Sequence, residues 1–149
     1  MIAVTSITNA IFTLLSSDSV LVSSDTHVCK YEIIDTSPNR SPFVDILRPS
    51  FQMEGRRMNI NQPYMAQMSC PIFCSVMGTQ DDQQTQVELD LLTDAVLTAI
   101  NSGTNRTLNN TVNIILGYNV EPVDIQTAPD NNQDYFYANE ITIIAEVFA

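Results

Sequence analysis

One histidine and three cysteines are the residues of this chain best suited to metal or nucleophilic chemistry. His27, Cys29, Cys70 and Cys74 have the ligand types of a tetrahedral zinc site. Their spacing argues against one. Cys70 and Cys74 bracket Pro71 in a β-prone run, where four residues span about 13 Å, whereas zinc ligands pair across tight turns such as C-x2-C. The three cysteines are read instead as small, partly buried hydrophobes. A Cys–His nucleophile pair is the other chemical option, because strand alternation puts His27 and Cys29 on one face. No motif supplies an orienting group or an oxyanion loop, and a lone histidine is more often structural.

The remaining candidates are charged pairs and glycines. Asp81-Asp82 reads as a capping and dipole feature at a helix start. Gly55 and Gly103 are isolated, and four glycines in all leave no G-x-G-x-x-G or phosphate loop. Arg56 and Arg57 could hold a carboxylate or a phosphate, and they are the candidate subunit-interface residues. The acidic neighbour they meet could be another copy of the same chain. The expectation is therefore a protein with no catalytic residues, no cofactor and no metal. A small ligand-binding or Cys/His enzyme domain built on His27 and a cysteine is the rival from another class.

The elements that must position these residues follow from hydropathy patterning. Ile7, Ala10, Ile11, Leu14 and Leu15 repeat at helical spacing, which predicts helix one over roughly 3–16. Val20-Leu21-Val22 is too short to classify. Residues 27–34 are β-prone, with a turn at Thr36-Ser-Pro-Asn39, and Pro42 to Leu47 is a second extended segment. The stretch 49–62, with its Glu54-Gly55 turn signal and paired arginines, reads as an exposed hairpin or arm suited to contacts. Tyr64 to Met77 is the longest expected strand, and Pro71 within it marks an edge or a bulge. Val87 to Ile100 is predicted as helix two, with Leu91, Leu92, Ala95, Val96, Ala99 and Ile100 as its apolar stripe. Gly103 stands where that helix stops. Glu88, Asp90 and Asp94 are read as solvated.

Val112 to Leu116 and Val120 to Ile125 are two short extended pieces, and 128–134 is a loop. In the closing segment Ile141, Ile143, Ala145 and Val147 alternate with Thr142, Ile144, Glu146 and Phe148. This pattern fits a central strand, or one whose outer face meets a partner. The order is α-β-β-β-α-β-β. It predicts a single α+β domain over 1–149, with a mainly antiparallel sheet and both helices packed on one face. The other sheet face is left for an interface.

The 149 residues carry a net charge of −11, unevenly spread. Lys30, Arg40, Arg48, Arg56 and Arg57 hold five of the six basic positions, and beyond Arg57 only Arg106 faces eleven carboxylates. Conventional phosphate-backbone binding needs clustered cations to neutralise it, so this acidic chain makes a poor conventional nucleic-acid binder. An acidic surface is useful beside DNA only where DNA slides past without sticking. No lysine or arginine precedes the apolar residues 2–15, as a signal peptide requires. No run reaches the ~20 apolar residues of a membrane span. Cytoplasmic synthesis with no membrane partner is expected, and the sequons at Asn105 and Asn109 are chance matches.

This layout resembles the tail-terminator proteins of long-tailed bacteriophages. The resemblance covers nearly the whole chain. It rests on Ile7 to Leu15, Pro42 to Leu47, Tyr64 to Met77, Val87 to Ile100 and Glu140 to Phe148. It implies a virion structural protein that forms a ring, a hexamer in that family, at the junction of tail and neck. The implied partners are the tail tube protein and the neck or head–tail connector protein, with DNA passing through the lumen without specific binding. A neck or head-completion protein is the nearby variant. The family has no motif that assigns a role to 49–62.

Overall fold

The computed structural model describes residues 4–31, 42–53, 65–78, 83–102, 107–108, 110–112, 114–126 and 135–148. Its elements are α1 (Val4–Ser16), α2 (Ser19–Ser23), β1 (His27–Lys30), β2 (Phe43–Ile46), β3 (Ser50–Met53), β4 (Met65–Gly78), α3 (Gln83–Asn101), β5 (Ile114–Gln126) and β6 (Tyr135–Phe148). The α+β class expected from the pattern is the one observed, with α2 as an additional short helix.

α1 forms because Ile7, Ile11 and Leu15 recur every four residues and are fully buried together. Ala10 and Leu14 pack at the margin of that stripe. α2 is a single turn that no periodicity could reveal. Asp18 starts it: its carboxylate accepts from the Leu21 N–H at 3.2 Å, which satisfies one of the open donors of the first turn. Leu21 points inward, while Val20 and Val22 are exposed.

α3 buries Thr85, Leu89, Leu92, Thr93, Val96, Ala99 and Ile100. One member of the expected stripe does not belong to it: Leu91 is 64% exposed, and Val87, one turn earlier, is 46% exposed. The true stripe is narrower, centred on Leu92 and Val96, and Val87 and Leu91 form a second apolar ridge beside it. Glu88, Asp90 and Asp94 are exposed, as charges flanking a buried stripe should be.

The sheet runs in the order β1-β2-β4-β6-β5, with β3 also paired to β4. β1 and β2 are parallel, and every other pair is antiparallel. β4 is thus a central strand. Pro71 sits opposite Thr142 of β6 with no register break there. On its other side β4 pairs with β3 up to Ser69 and with β2 from Ile72. The Pro71 carbonyl accepts from the Leu47 N–H at 3.0 Å on that side. A residue in an antiparallel ladder directs N–H and C=O to the same neighbour. The missing donor of Pro71 therefore faces the gap between two neighbouring strands, and no ladder bond to β6 is lost.

β5 is one strand, where two pieces were expected. Gly117 looks like a boundary, but the ladder passes through it with a bulge between Ile115 and Gly117, which leaves Leu116 as the extra residue. β6 is central, flanked by β4 and β5. β1 ends at Lys30, where Tyr31 takes φ 60°, a left-handed conformation, and residues 32–34 of the expected run lie outside the described residues. Residues 50–53 of the expected arm lie on β4 as β3. Arg56 and Arg57, the rest of the arm, Asp81-Asp82 and Gly103 lie outside the described residues.

The core lies between one sheet face and the helices. Met68, Cys70, Ile72, Cys74, Ile141, Ile143 and Ala145 meet Ile7, Ile11, Leu15, Leu92, Val96 and Ile100. Each fully buried Ile or Leu contributes roughly 1.5–3 kcal/mol through desolvation. Among the described residues no helix is long and apolar enough to cross a membrane.

Candidate functional site

The histidine and the cysteines fall on two sides of the sheet. Residues opposite each other in register share a face. Val44 pairs with Cys74 and Ile46 with Ile72, so these line the helix side, together with Cys70. His27 pairs with Phe43 and Cys29 with Asp45, one position out of phase, so they occupy the opposite face. The sheet backbone therefore separates Cys70 and Cys74 from His27 and Cys29, and the four cannot converge on one ion. Among the described residues no group of three or more His, Cys, Asp and Glu could hold a metal.

Each thiol also has a structural environment. Cys70 donates to the Leu47 carbonyl at 3.6 Å. Burial pushes the Cys70 and Cys74 thiols from 9.0 up to about 12. Both are protonated at neutral pH and are poor nucleophiles. Cys29 and His27 share a face, as alternation predicts. Cys29 lies 3.5 Å from Oδ1 of Asp45, a fully buried carboxylate, and 3.6 Å from the Val44 carbonyl. His27 stacks on Phe43, with centroids 5.5 Å apart and planes at 28°. This is a packed patch on the second sheet face, with Ser75 and Ala138 also buried there.

The features that remain are surfaces. A groove of about 580 Å³ opens between α2 and α3, lined by Val20, Leu21, Val76, Met77, Glu88 and Leu91 among others. Leu91, mostly exposed, forms part of its wall. The second surface is the β5 edge of the sheet, with Ile114, Leu116 and Val120 exposed. The third is the opposite edge, where Tyr31 is exposed beside Arg48. Lys30 donates to Asn9 Oδ1 and lies 5.2 Å from the Phe12 ring centroid, and Arg48 stands 5.9 Å from that of Tyr31.

The sequence pattern singles out Arg56 and Arg57, whereas the cations with visible surroundings are Lys30 and Arg48. Arg48-Pro49 carried a signal only as a break between two extended segments. Leu116 carried none, because a bulged residue has no periodicity of its own.

No protein-family model matches this chain, and no curated protein matches it. A solved structure does. A chain in the virion of a native gene transfer agent particle aligns over 100% of this chain and 100% of its own length, with TM-score 0.54 and 13% sequence identity. At that identity the likeness shows a shared fold.

Proposed function

We propose that this protein is a non-catalytic virion structural component, a ring-forming tail terminator that caps the tail tube and joins it to the neck. The observation that carries the reading is the end-to-end likeness of the fold to a chain of a gene transfer agent virion. Three features support it. Cys70 and Cys74 are buried in the core, and the sheet divides them from His27 and Cys29. Exposed apolar residues are concentrated on the sheet edges and on the α2–α3 groove, as in a chain that assembles with neighbours. The net charge of −11 suits a lumen through which DNA moves without adhering.

On this reading six copies close into a ring, the tail tube protein and the neck connector bind its two ends, and the protein resides at the tail–neck junction of the particle. Native mass of the purified protein, with negative-stain images of the same fraction, tests it. A closed ring near six copies that binds the end of isolated tail tubes is the expected result. A protein that stays monomeric and does not join tail tubes sinks the proposal. Rings that bind the head connector but never tail tubes would move the assignment to a neck or head-completion protein. His27→Ala should leave ring formation unchanged.

A further inference from the structure

We infer that the groove between α2 and α3 of one copy receives the Arg56–Arg57 segment, residues 54–64, of the next copy. The inference rests on the ring reading and names the contact that joins neighbouring subunits.

The groove is apolar and open. Val20 and Leu91, 56% and 64% exposed, stand in its walls with Val76, Met77 and Ala95. Its volume of about 580 Å³ takes several side chains. Two carboxylates mark its rim. Glu88 lines it, and Asp25 stands between the lining residues Ser24 and Thr26. Both are exposed. The described cations Lys30 and Arg48 lie against Asn9, Phe12 and Tyr31 and not against these acids. An occupant therefore needs apolar side chains beside positive charge.

Residues 54–64 meet that need. They connect Met53 of β3 to Met65 of β4 and carry Arg56, Arg57, Met58, Ile60 and Tyr64 against the single carboxylate of Glu54. Other internal stretches between the described elements do not match. Residues 32–41, 79–82 and 127–134 each hold more carboxylates than cations, and 103–106 has no apolar residue.

Chain length assigns the segment to a second copy. Met53 pairs with Ala66 at one end of β4, whereas Val76 and Met77 line the groove at the other. α3 crosses β4 at that second end. Gly78 lies against Thr85, and Thr93 bonds Asn139, which is opposite Cys74. Ala66 and Val76 are ten residues apart on a strand whose ladder to β6 is unbroken, about 33 Å. Arg56 and Arg57 follow Met53 by three and four residues, which reach about 14 Å at most. Asn59, six residues from both Met53 and Met65, reaches about 22 Å at most. The arginines therefore cannot enter the groove of their own chain. Segment and groove sit at opposite ends of β4, so the contact is heterologous and repeats from copy to copy, which closes into a ring when the rotation allows.

The test follows assembly by native mass against protein concentration. Arg56→Glu with Arg57→Glu should raise the half-assembly concentration about tenfold or more. Glu88→Arg with Asp25→Asn should do the same, asparagine being chosen because residue 25 takes φ 57°. The quadruple variant should recover assembly toward the parent's concentration, with thermal melts confirming that each variant is folded. Met58→Cys and Leu91→Cys proteins, mixed and mildly oxidised, should give a covalent dimer that neither gives alone. If both charge variants assemble like the parent, this contact is overturned while the ring reading stands. If only one of them loses assembly, if the quadruple variant does not recover, or if the parent assembles but the mixed cysteine variants stay uncoupled, segment and groove are not each other's partners. If the parent stays monomeric at every concentration and no covalent dimer forms, the contact and the ring reading fall together.

Discussion

Asn139 of β6 donates from Nδ2 to the Thr93 hydroxyl of α3 at 3.0 Å, and Thr93 in turn donates to the Leu89 carbonyl at 2.8 Å. One side-chain chain thus joins the central strand to the long helix through a buried threonine. It fits the rotation of α3 over the sheet at which Leu92 and Val96 face inward and Leu91 faces out. Thr93→Val keeps the shape and removes the link, leaving the Asn139 amide without its acceptor. A loss of about 1–2 kcal/mol is expected in urea unfolding, and substituting Asn139 by Ala in the same background should add less than it does alone.

Helix rotation makes a second prediction, a contrast between two apolar residues on α3. Ile100→Ala empties a fully buried site and should cost roughly 2–5 kcal/mol. Leu91→Ala removes a mostly exposed side chain and should change stability by less than about 0.5 kcal/mol. If Leu91 is part of a contact between proteins, its substitution should act on association, measured by native mass, and leave the melting of the monomer unchanged.

Tyr31 closes β1 in a left-handed conformation that costs roughly 1–2 kcal/mol for a residue with a side chain. It is held there by a hydroxyl–hydroxyl contact with Thr8 of α1 at 2.7 Å and by Arg48 over its ring. Tyr31→Phe keeps the ring contact and loses the hydrogen bond, so a drop of about 1 kcal/mol in chemical denaturation is expected. Tyr31→Gly relieves the backbone but discards both contacts, and should lower stability less than the sum of those contacts suggests.

Gly78 ends β4 where α3 comes near. A Cβ built there would lie 2.1 Å from Thr85 Oγ1 and 2.6 Å from its Cγ2. Gly78→Ala should therefore destabilise by about 1–3 kcal/mol through overpacking. Pairing it with Thr85→Ala should recover much of the loss, read as a non-zero coupling energy in a double-mutant cycle.

The core thiols predict an alkaline loss of stability. Folding holds Cys70 and Cys74 protonated up to about 12, above the ordinary 9.0 of an exposed thiol. Below pH 9 both states carry the protons and the full stability is present. Between 9 and 12 only the unfolded chain releases them, so stability falls as pH rises, by up to roughly 1.4 kcal/mol per pH unit for each thiol. The Cys70→Ala and Cys74→Ala variants should each show a shallower decline than the parent across that window. In native protein at pH 8, a thiol reagent should leave both residues unmodified until the chain is unfolded.

Local pattern was sufficient for α1, for the body of α3, for the long β4 and for β6, because each repeats its apolar residues over enough turns or alternations to specify a face. The α+β class and the one-sided core follow from that order. The separation of His27 and Cys29 from Cys70 and Cys74 was half visible: alternation within β1 relates the first two, but only the register of β2 against β4 shows that the pairs lie on opposite faces. α2, one turn long, depends on the Asp18 cap and on room beside α3, which no window of sequence contains. The bulge at Leu116 and the exposure of Leu91 are of the same kind. A bulge exists only relative to a partner strand, and a helical stripe is divided into buried and exposed parts by the neighbour it packs on. Composition by itself determined the acidic second half and the cluster of cations in the first. That Lys30 and Arg48 lie at one edge of a sheet and Glu121 and Glu140 near the other was decided by strand order, a property of the folded chain and of no segment within it.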